Sequence, residues 1–387
     1  MTQMFSIDAA DAEIVAFTKG GRDVRFAQLQ HGAEAPREFF YGFPALQKAG
    51  LSAALLSSAG RVSGGVGRAA DFAESAATRF TGIGIRPLSA RLRIASLPGA
   101  KVLLSYTDGF SLSLGYALRH RKERPIVVGG FHALSDIEER LPTAWRNLGH
   151  KLIKRALGGI DHVFFFGPAD RQFAINHYGL EPARTSVIPF GIDTEFWRPL
   201  VNVGVEDFVV AVGQDPNRDY DLLVAAPGGH PTKIITRRKV NVPAGASHVQ
   251  ILTGDYFDAA SMGDRDLREV YNRAKAVIVP LKDVWQPSGY SVTLQAMSCG
   301  RPVILSKIRG LWAPELLKDG ENCLLVPPGD AQALGAAIER IRTDPDLAAR
   351  VGGHARDTAL AHFNLNRGHE GTLHLANLGI SLWRARH

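Results

Sequence analysis

Residues 271–305 read YNRAKAVIVPLKDVWQPSGYSVTLQAMSCGRPVIL. The run AVIVP is short, apolar and β-branched, as a buried strand is. The turn around Gly289 breaks it, an apolar helix-like stretch through Leu294 to Cys299 follows, and PVIL opens a second strand. A strand, a helix and a strand in succession place the two strands parallel in one sheet.

The same alternation recurs outward from this stretch. KVLLSYTDG, PIVVGGFH and HVFFFGPAD precede it, as do FVVAVGQDPN, KIITRR and HVQILTGD, and CLLVPPGD follows. Several of these runs end in Gly, Pro, Asp or His and are followed by helix-like sequence. The pattern predicts an α/β protein with parallel sheets, whose ligands meet the chain beyond the carboxyl ends of strands. That rule singles out Tyr106, Asp108, His132, Asp170, Gln214 and Gly254 as residues directly after a run.

A chain of 387 residues is long enough for two domains. The break is expected where VIPFGIDTEFWRPL gives way to the polar VNVGVED, so the first domain is read as 1–199 and the second as 200–363. Residues 364–387 are too few for another βα unit. Leu373, Leu375, Leu378 and Leu382 lie near helical spacing, so the tail is expected to be a terminal helix packing back on the first domain.

Composition, at 45% hydrophobic and 21% charged, excludes a disordered or fibrous chain. No apolar run approaches a membrane span, and the opening MTQMFSIDAADAE is acidic where a secretory leader is basic and then apolar, so a cytoplasmic protein is expected. The two cysteines, Cys299 and Cys323, sit in apolar segments and read as buried free thiols. The net charge of +7 resides almost wholly in the first half. It suits an anionic membrane, a nucleic acid or a phosphorylated substrate, and an ordinary solvated surface suits it as well.

Several motifs fail. GGVGRAA carries dinucleotide-type glycine spacing, but no Asp or Glu lies between Ser75 and Thr107 to hold a ribose, so a flexible loop is the preferred reading. No Walker loop, nucleophile elbow or His-Glu-x-x-His occurs. His369, Glu370 and His374 miss that zinc spacing by one residue, and no metal site is expected.

Five strings together carry a resemblance: SVIPFGIDTEFWRP, VAVGQDPNRDYDLLVAA, YNRAKAVIVPL, SGYSVTLQAMSCGRPVI and LWAPELLKDGENCLLVPPGD. In order and spacing they resemble the retaining, nucleotide-sugar-dependent glycosyltransferases of the GT-B fold. That family includes sucrose-phosphate synthases and many bacterial glycolipid and polysaccharide mannosyl- and glucosyltransferases. The resemblance is good from about Ser186 to Phe363 and faint before. It implies two Rossmann-like domains with parallel sheets facing a central cleft, the second holding the donor.

The resemblance also implies roles. Gly213 lets backbone approach the donor diphosphate and Arg218 supplies its cation, while Gln214 stands where relatives carry a second basic residue. Gly289, Tyr290 and Ser291 present helix-start amides to the sugar and phosphate. Two glutamates bracket this loop in the family, and here Gln286 stands near the first position and Gln295 at the second, with Asp283 the nearby carboxylate. A glutamine still pairs with a ribose hydroxyl, less strongly than a carboxylate. His132 matches the histidine that reaches the donor sugar from the first domain, making His132 and Arg218 the expected catalytic pair. Thr253 and Tyr256 fall in the base pocket. Tyr41 and Gly42 resemble the first glycine loop and, with Tyr106 and Asp108, are expected on the acceptor side, core packing being the other reading for Tyr41.

The expected reaction is transfer of a sugar from a UDP- or GDP-linked donor, with retention, to a hydroxyl of a glycan, glycolipid or lipid-linked saccharide. The nucleotide sugar is a co-substrate, with no cofactor or essential metal and no nucleic-acid partner. An anionic inner leaflet is a candidate surface for the basic first half. The alternative, motivated by the missing glutamates, is a weak or inactive nucleotide-sugar-binding protein.

Overall fold

The computed structural model describes residues 8–32, 34–58, 64–253 and 262–387. Contacts divide the chain into two compact units. Met1–Ala33, Phe39–Pro189 and Gly368–His387 make the first, and Glu34–Glu38 with Phe190–Arg367 make the second.

The first unit holds one parallel sheet of six strands: β1 (Ile14–Thr18), β2 (Ala53–Ser57), β3 (Val102–Ser105), β4 (Ile126–Phe131), β5 (His162–Phe165) and β6 (Thr185–Val187), in the order β2-β1-β3-β4-β5-β6. The second holds β7 (Val209–Val212), β8 (Thr232–Ile235), β9 (Val249–Leu252), β10 (Ala276–Val279), β11 (Val303–Ser306) and β12 (Leu324–Val326), in the order β12-β11-β10-β7-β8-β9. All described strand pairs are parallel, with Ile14 opposite Val102 and Val210 opposite Val277 fixing the two central registers. Strands β3, β4, β5, β7, β10 and β11 are buried at every position, as strands covered on both faces must be.

Both sheets reverse direction of growth once, between β1 and β3 in the first unit and between β7 and β10 in the second. At such a switch point the connecting segments leave to opposite sides and open a crevice beyond the strand ends. The residues of interest lie at these two places.

Residues 190–199 pack with the second unit, so the division falls at Pro189 rather than after Pro199. Ile192 donates its N–H to the Phe363 carbonyl at 2.7 Å, and Trp197 is completely buried. The C-terminal helix Leu365–Arg386 joins the first unit from Gly368 onward. Its Gly379 meets β3 so closely that a Cβ there would stand 2.6 Å from Val102 Cγ1.

The stretch GGVGRAA is no loop: it opens the helix Gly64–Thr81. Gly67 and Ala70 face inward, whereas Val66, Phe72 and Phe80 are 75%, 78% and 74% exposed. Among the described residues no helix is long and apolar enough to cross a membrane.

Candidate functional site

The second unit's switch point is built by the turn after β7. Gly213 ends that strand, and its carbonyl accepts from the Tyr220 hydroxyl and the Thr236 hydroxyl, both at 2.8 Å. The chain folds back so that Arg218 N–H donates to the Asp215 carbonyl at 3.0 Å, and Arg218 forms an isolated bridge with Leu281 just past β10. Asp219 then caps the helix Tyr220–Ala225 through the Leu222 N–H.

This turn places the Arg218 guanidinium inside the unit, where the residue is 5% exposed. Its Nε and Nη1 are buried with no hydrogen-bond partner among the described residues. Two glycines wall it. A Cβ at Gly213 would lie 2.5 Å from Arg218 Nε. Gly289, at φ +84°, begins the helix Tyr290–Ser298, and a Cβ there would lie 3.2 Å from Arg218 Nη1 and 2.7 Å from Val279 Cγ1. Only glycine meets both the left-handed conformation and the close approach. A buried charge with unmet donors is costly on its own, and an anion at this place would satisfy it. The first amides of Tyr290–Ser298 add their positive end. Tyr290 packs its ring on Phe190, 4.5 Å between centres, and Ser291 stays partly accessible.

The two glutamines do other work than the sequence suggests. Gln295 is 1% exposed, and its amide is used within the core: Tyr271 hydroxyl donates to Oε1 at 3.2 Å and Nε2 donates to Glu38 Oε1 at 3.3 Å. Glu38 arrives on the short segment Glu34–Glu38 and also accepts from Trp197 Nε1 at 2.7 Å. Its burial, reinforced by Asp193 and only partly offset by the Trp197 and Gln295 donors, pushes its carboxyl up to about 7. Gln286 is likewise buried and donates to Asp215 Oδ2 at 3.0 Å, beside a short bond from Ser288, so it braces the turn that carries Arg218. Gln295 is thus a core bridge where a ribose contact was expected, because the site of the family's glutamate is enclosed here by Glu38, Trp197 and Tyr271.

Gln214 is exposed, and its Oε1 accepts from the Arg237 N–H at 2.8 Å. The segment after β8 therefore reaches the same turn, and it brings cations that the sequence reading passed over. Arg238 donates to the carbonyls of Asp215 at 2.7 Å and Arg218 at 3.0 Å. Their signal was the basic TRRK directly after a strand, read only as a strand end. Thr253 is exposed just past β9, and Tyr256 lies outside the described residues, as do Gly254 and Asp255.

In the first unit His132 follows β4. Its Nε2 lies 3.0 Å from the Tyr106 carbonyl, which can only accept, so Nε2 carries the proton and Nδ1 the lone pair. The Tyr41 hydroxyl stands 3.3 Å from the same nitrogen, and Phe166 stacks on the ring at 4.4 Å. Burial lowers the affinity of this imidazole for a second proton; Asp108 opposes that and Arg22 reinforces it, leaving His132 neutral near pH 7. Asp108 itself anchors the strand end, accepting from the N–H groups of His132 at 3.0 Å and Ala133 at 2.9 Å.

Tyr41 and Gly42 occupy successive left-handed conformations, φ +47° and +76°. Tyr41 stacks flat on Tyr106, 4.6 Å apart, and Thr372 of the C-terminal helix ties both, donating a short bond to the Tyr41 carbonyl and meeting the Tyr106 hydroxyl at 3.0 Å. A Cβ on Gly42 would stand 2.9 Å from Thr372 Oγ1. Tyr41 is therefore held by packing, and its ring also borders a cavity.

That cavity, about 720 Å³, opens at the first sheet's switch point beside Tyr41, Tyr106, Asp108 and His132. Lys19, Arg22, Arg86 and Arg93 line it against Asp71 and Asp108, with Ser58, Ser75, Ser89 and Ser113 between. Arg93 donates to the Ser57 carbonyl at 2.9 Å, and Arg22 lies over the Tyr41 ring at 4.5 Å. The sequence reading weighed several of these basic residues only as net charge.

Comparison with known proteins bears on both units. A model described as glycosyltransferase family 4 matches residues 83–196, and one described as glycosyl transferases group 1 matches 201–344. The alpha-maltose-1-phosphate synthase of Mycolicibacterium smegmatis is 26% identical over 242 residues, covering 54% of this chain and 61% of that relative. A D-inositol 3-phosphate glycosyltransferase of Acidothermus cellulolyticus is 30% identical over 204 residues, covering 46% and 44%. The chain thus spans 61% and 44% of the length of these two curated relatives. In structure it resembles sucrose-phosphate synthase from Thermosynechococcus elongatus, with a TM-score of 0.69, 19% identity and 97% and 100% coverage. It also resembles Anabaena Alr3699/HepE in complex with UDP-glucose, at 0.64, 16%, 95% and 99%.

Proposed function

We propose, from the premise that this chain belongs to the glycosyltransferases of the GT-B fold, that it moves a sugar from a nucleoside-diphosphate donor to an acceptor hydroxyl with retention of configuration. The observation that carries this reading is the buried Arg218 guanidinium with two unmet N–H groups at the second sheet's switch point. A diphosphate is the group whose charge and oxygens match that vacancy of partners. As the C1–O bond to the β-phosphate breaks, negative charge grows on the phosphate, and a fixed guanidinium with helix-start amides stabilises it without reorganising. The departing phosphate oxygen takes the acceptor's proton as the new C1–O bond forms on the same face, so no carboxylate base is needed.

Gly213, Gly289, Tyr290 and Ser291 line the donor phosphates, with Gln214 and Arg237 at the rim and Thr253 towards the base. UDP is the first donor to test, since a structural neighbour holds UDP-glucose, and GDP the second. Neutral His132 orients a sugar hydroxyl, its tautomer fixed by the Tyr106 carbonyl. No metal or cofactor is assigned to the transfer.

The acceptor reading rests on the first unit's cavity. Four cations beside stacked Tyr41 and Tyr106 suit a saccharide bearing a phosphate. The exposed Val66, Phe72 and Phe80, with Arg68 and Arg79 on the same helix, favour presentation at an anionic membrane, hence a lipid-linked phosphosaccharide.

The test is a panel of nucleotide sugars incubated with the full chain, with soluble sugar phosphates or with extracted lipid, beside Arg218→Met and His132→Ala. The reading expects transfer with one donor, lost in both variants, and product in the lipid fraction. Product only with soluble sugar phosphates would remove the membrane part. Donor binding without turnover under every condition would leave a nucleotide-sugar-binding protein. Separately, Phe72→Ser with Phe80→Ser should weaken sedimentation with anionic vesicles, and unchanged sedimentation would count against that surface.

A further inference from the structure

Apart from every residue assigned to transfer, the first unit brings Glu138, His150 and His177 together from three separate segments. Glu138 lies in the turn after β4, His150 in the helix Arg146–Leu157 and His177 in the helix Pro168–Tyr178 that follows β5. One potential ligand atom from each lies within 4.8 Å of the others. The carboxylate now serves both rings: Oε1 is 2.9 Å from His150 Nδ1 and Oε2 is 3.1 Å from His177 Nε2.

We propose that Glu138, His150 and His177 form a structural binding site for a divalent transition-metal ion, with zinc as the reference ligand. Two imidazoles and one carboxylate make the mixed nitrogen and oxygen set that zinc, cobalt, nickel and copper take, whereas magnesium and calcium prefer oxygen alone. Bond lengths of about 2.0–2.1 Å bring ligand atoms to within about 3.5 Å of one another, so the present spread closes by small side-chain rotations. No backbone rearrangement is required. Moving each ring proton to its other nitrogen frees the two lone pairs that converge here.

The rings are already oriented. His150 stacks on Tyr178 at 5.5 Å, His177 stacks on Phe173 at 4.8 Å, and the two imidazoles meet edge to face at 5.0 Å. Such packing limits the ordering a metal must impose. His177, 40% exposed in its side chain, leaves an entry path and room for water as a fourth ligand. A bound ion would fasten the segments after β4 and β5 to each other, in the unit that carries His132.

The experiment uses the full chain, stripped with chelator and dialysed, titrated with Zn²⁺ by calorimetry and with Co²⁺ by visible absorption. One ion per chain should bind, with the intense ligand-field bands of a low-coordinate cobalt site and a higher thermal midpoint. His177→Asn and Glu138→Gln, checked for native circular dichroism, should each weaken binding at least about 100-fold, beyond what loss of an outer partner costs. His354→Asn, an exposed histidine elsewhere, should bind as the parent does. Failure of the parent to bind one ion saturably, or equal binding by His177→Asn and Glu138→Gln, would reduce the cluster to a hydrogen-bonded clasp and overturn the proposal.

Discussion

Each sheet is six-stranded, parallel and reverses its growth once, yet the two switch points are furnished differently. In the second unit one arginine, Arg218, is sealed behind two glycines with donors unmet. In the first unit several cations line an open cavity, and those with described bonds spend them on backbone carbonyls, as Arg93 and Arg22 do. The contrast teaches that a recognition site is marked less by how much charge it holds than by whether that charge is satisfied without a ligand. By that measure the proposed donor site calls for one demanding anion, and the proposed acceptor cavity for a broader, wetter partner.

The sharpest way to break the comparison is Arg218→Met. The loss of one preorganised donor group should lower kcat/KM by about 100- to 1,000-fold. The melting temperature should hold or rise, because an apolar side chain of similar volume replaces an unpaired buried charge. A fall in stability matching the fall in activity would make Arg218 a structural arginine.

Next in size is Gln295→Ala. It strips partners from Tyr271 and from buried Glu38, and unfolding titration should show a loss of about 1–3 kcal/mol. Donor affinity measured on the folded protein should stay unchanged. Weakened donor binding at full stability would restore Gln295 to the ribose.

Gly42→Ala tests the first unit's turn. The added Cβ meets Thr372 Oγ1 at 2.9 Å in a left-handed backbone, and a cost of about 1–3 kcal/mol is expected in chemical denaturation. Thr372→Val should cost less, since it removes bonds to Tyr41 and Tyr106 without a clash. Equal stability of Gly42→Ala and the parent would mean that this turn is not held as described.

The smallest effect concerns pH. The Glu38 carboxyl is raised from an ordinary 4.5 to about 7, so the native chain holds this proton more tightly than the unfolded chain. Its contribution to stability is complete below 4.5 and declines as pH rises through 7. Glu38→Gln should flatten that decline in melts run between pH 5 and pH 8. An identical pH slope in parent and variant would contradict the buried placement of Glu38. Asp170, pushed by burial to about 7 in the first unit, would then account for the slope, and Asp170→Asn would show it.

What could be read beforehand follows the same divide. Short apolar runs gave away nine of the twelve described strands, most of them buried on both faces, where a parallel strand is apolar throughout. β1 was overlooked as a run of five, IVAFT, between an acidic stretch and a lysine. Gly213, Gly289 and Arg218 stood out in the sequence as turn glycines and a lone basic residue, and the structure packs the glycines against the buried guanidinium. The core contacts of Gln295 could not be read because its environment is set by Glu38, distant in sequence, and nothing local signals that contact. The helix at GGVGRAA was missed because glycines argue against a helix, and alanines after them outweigh that. Segments 34–38 and 190–199 changed units for the same reason: membership is decided by long-range packing.

The central claim is that Arg218 is held unsatisfied for a diphosphate. Its most direct test is calorimetric titration of UDP and GDP into the parent and into Arg218→Met, each checked for its melting temperature. The account predicts binding of one nucleotide to the parent, a loss of at least tenfold in the variant, and a variant no less stable than the parent. Equal nucleotide affinity in the two proteins, or a variant that melts well below the parent, would contradict it.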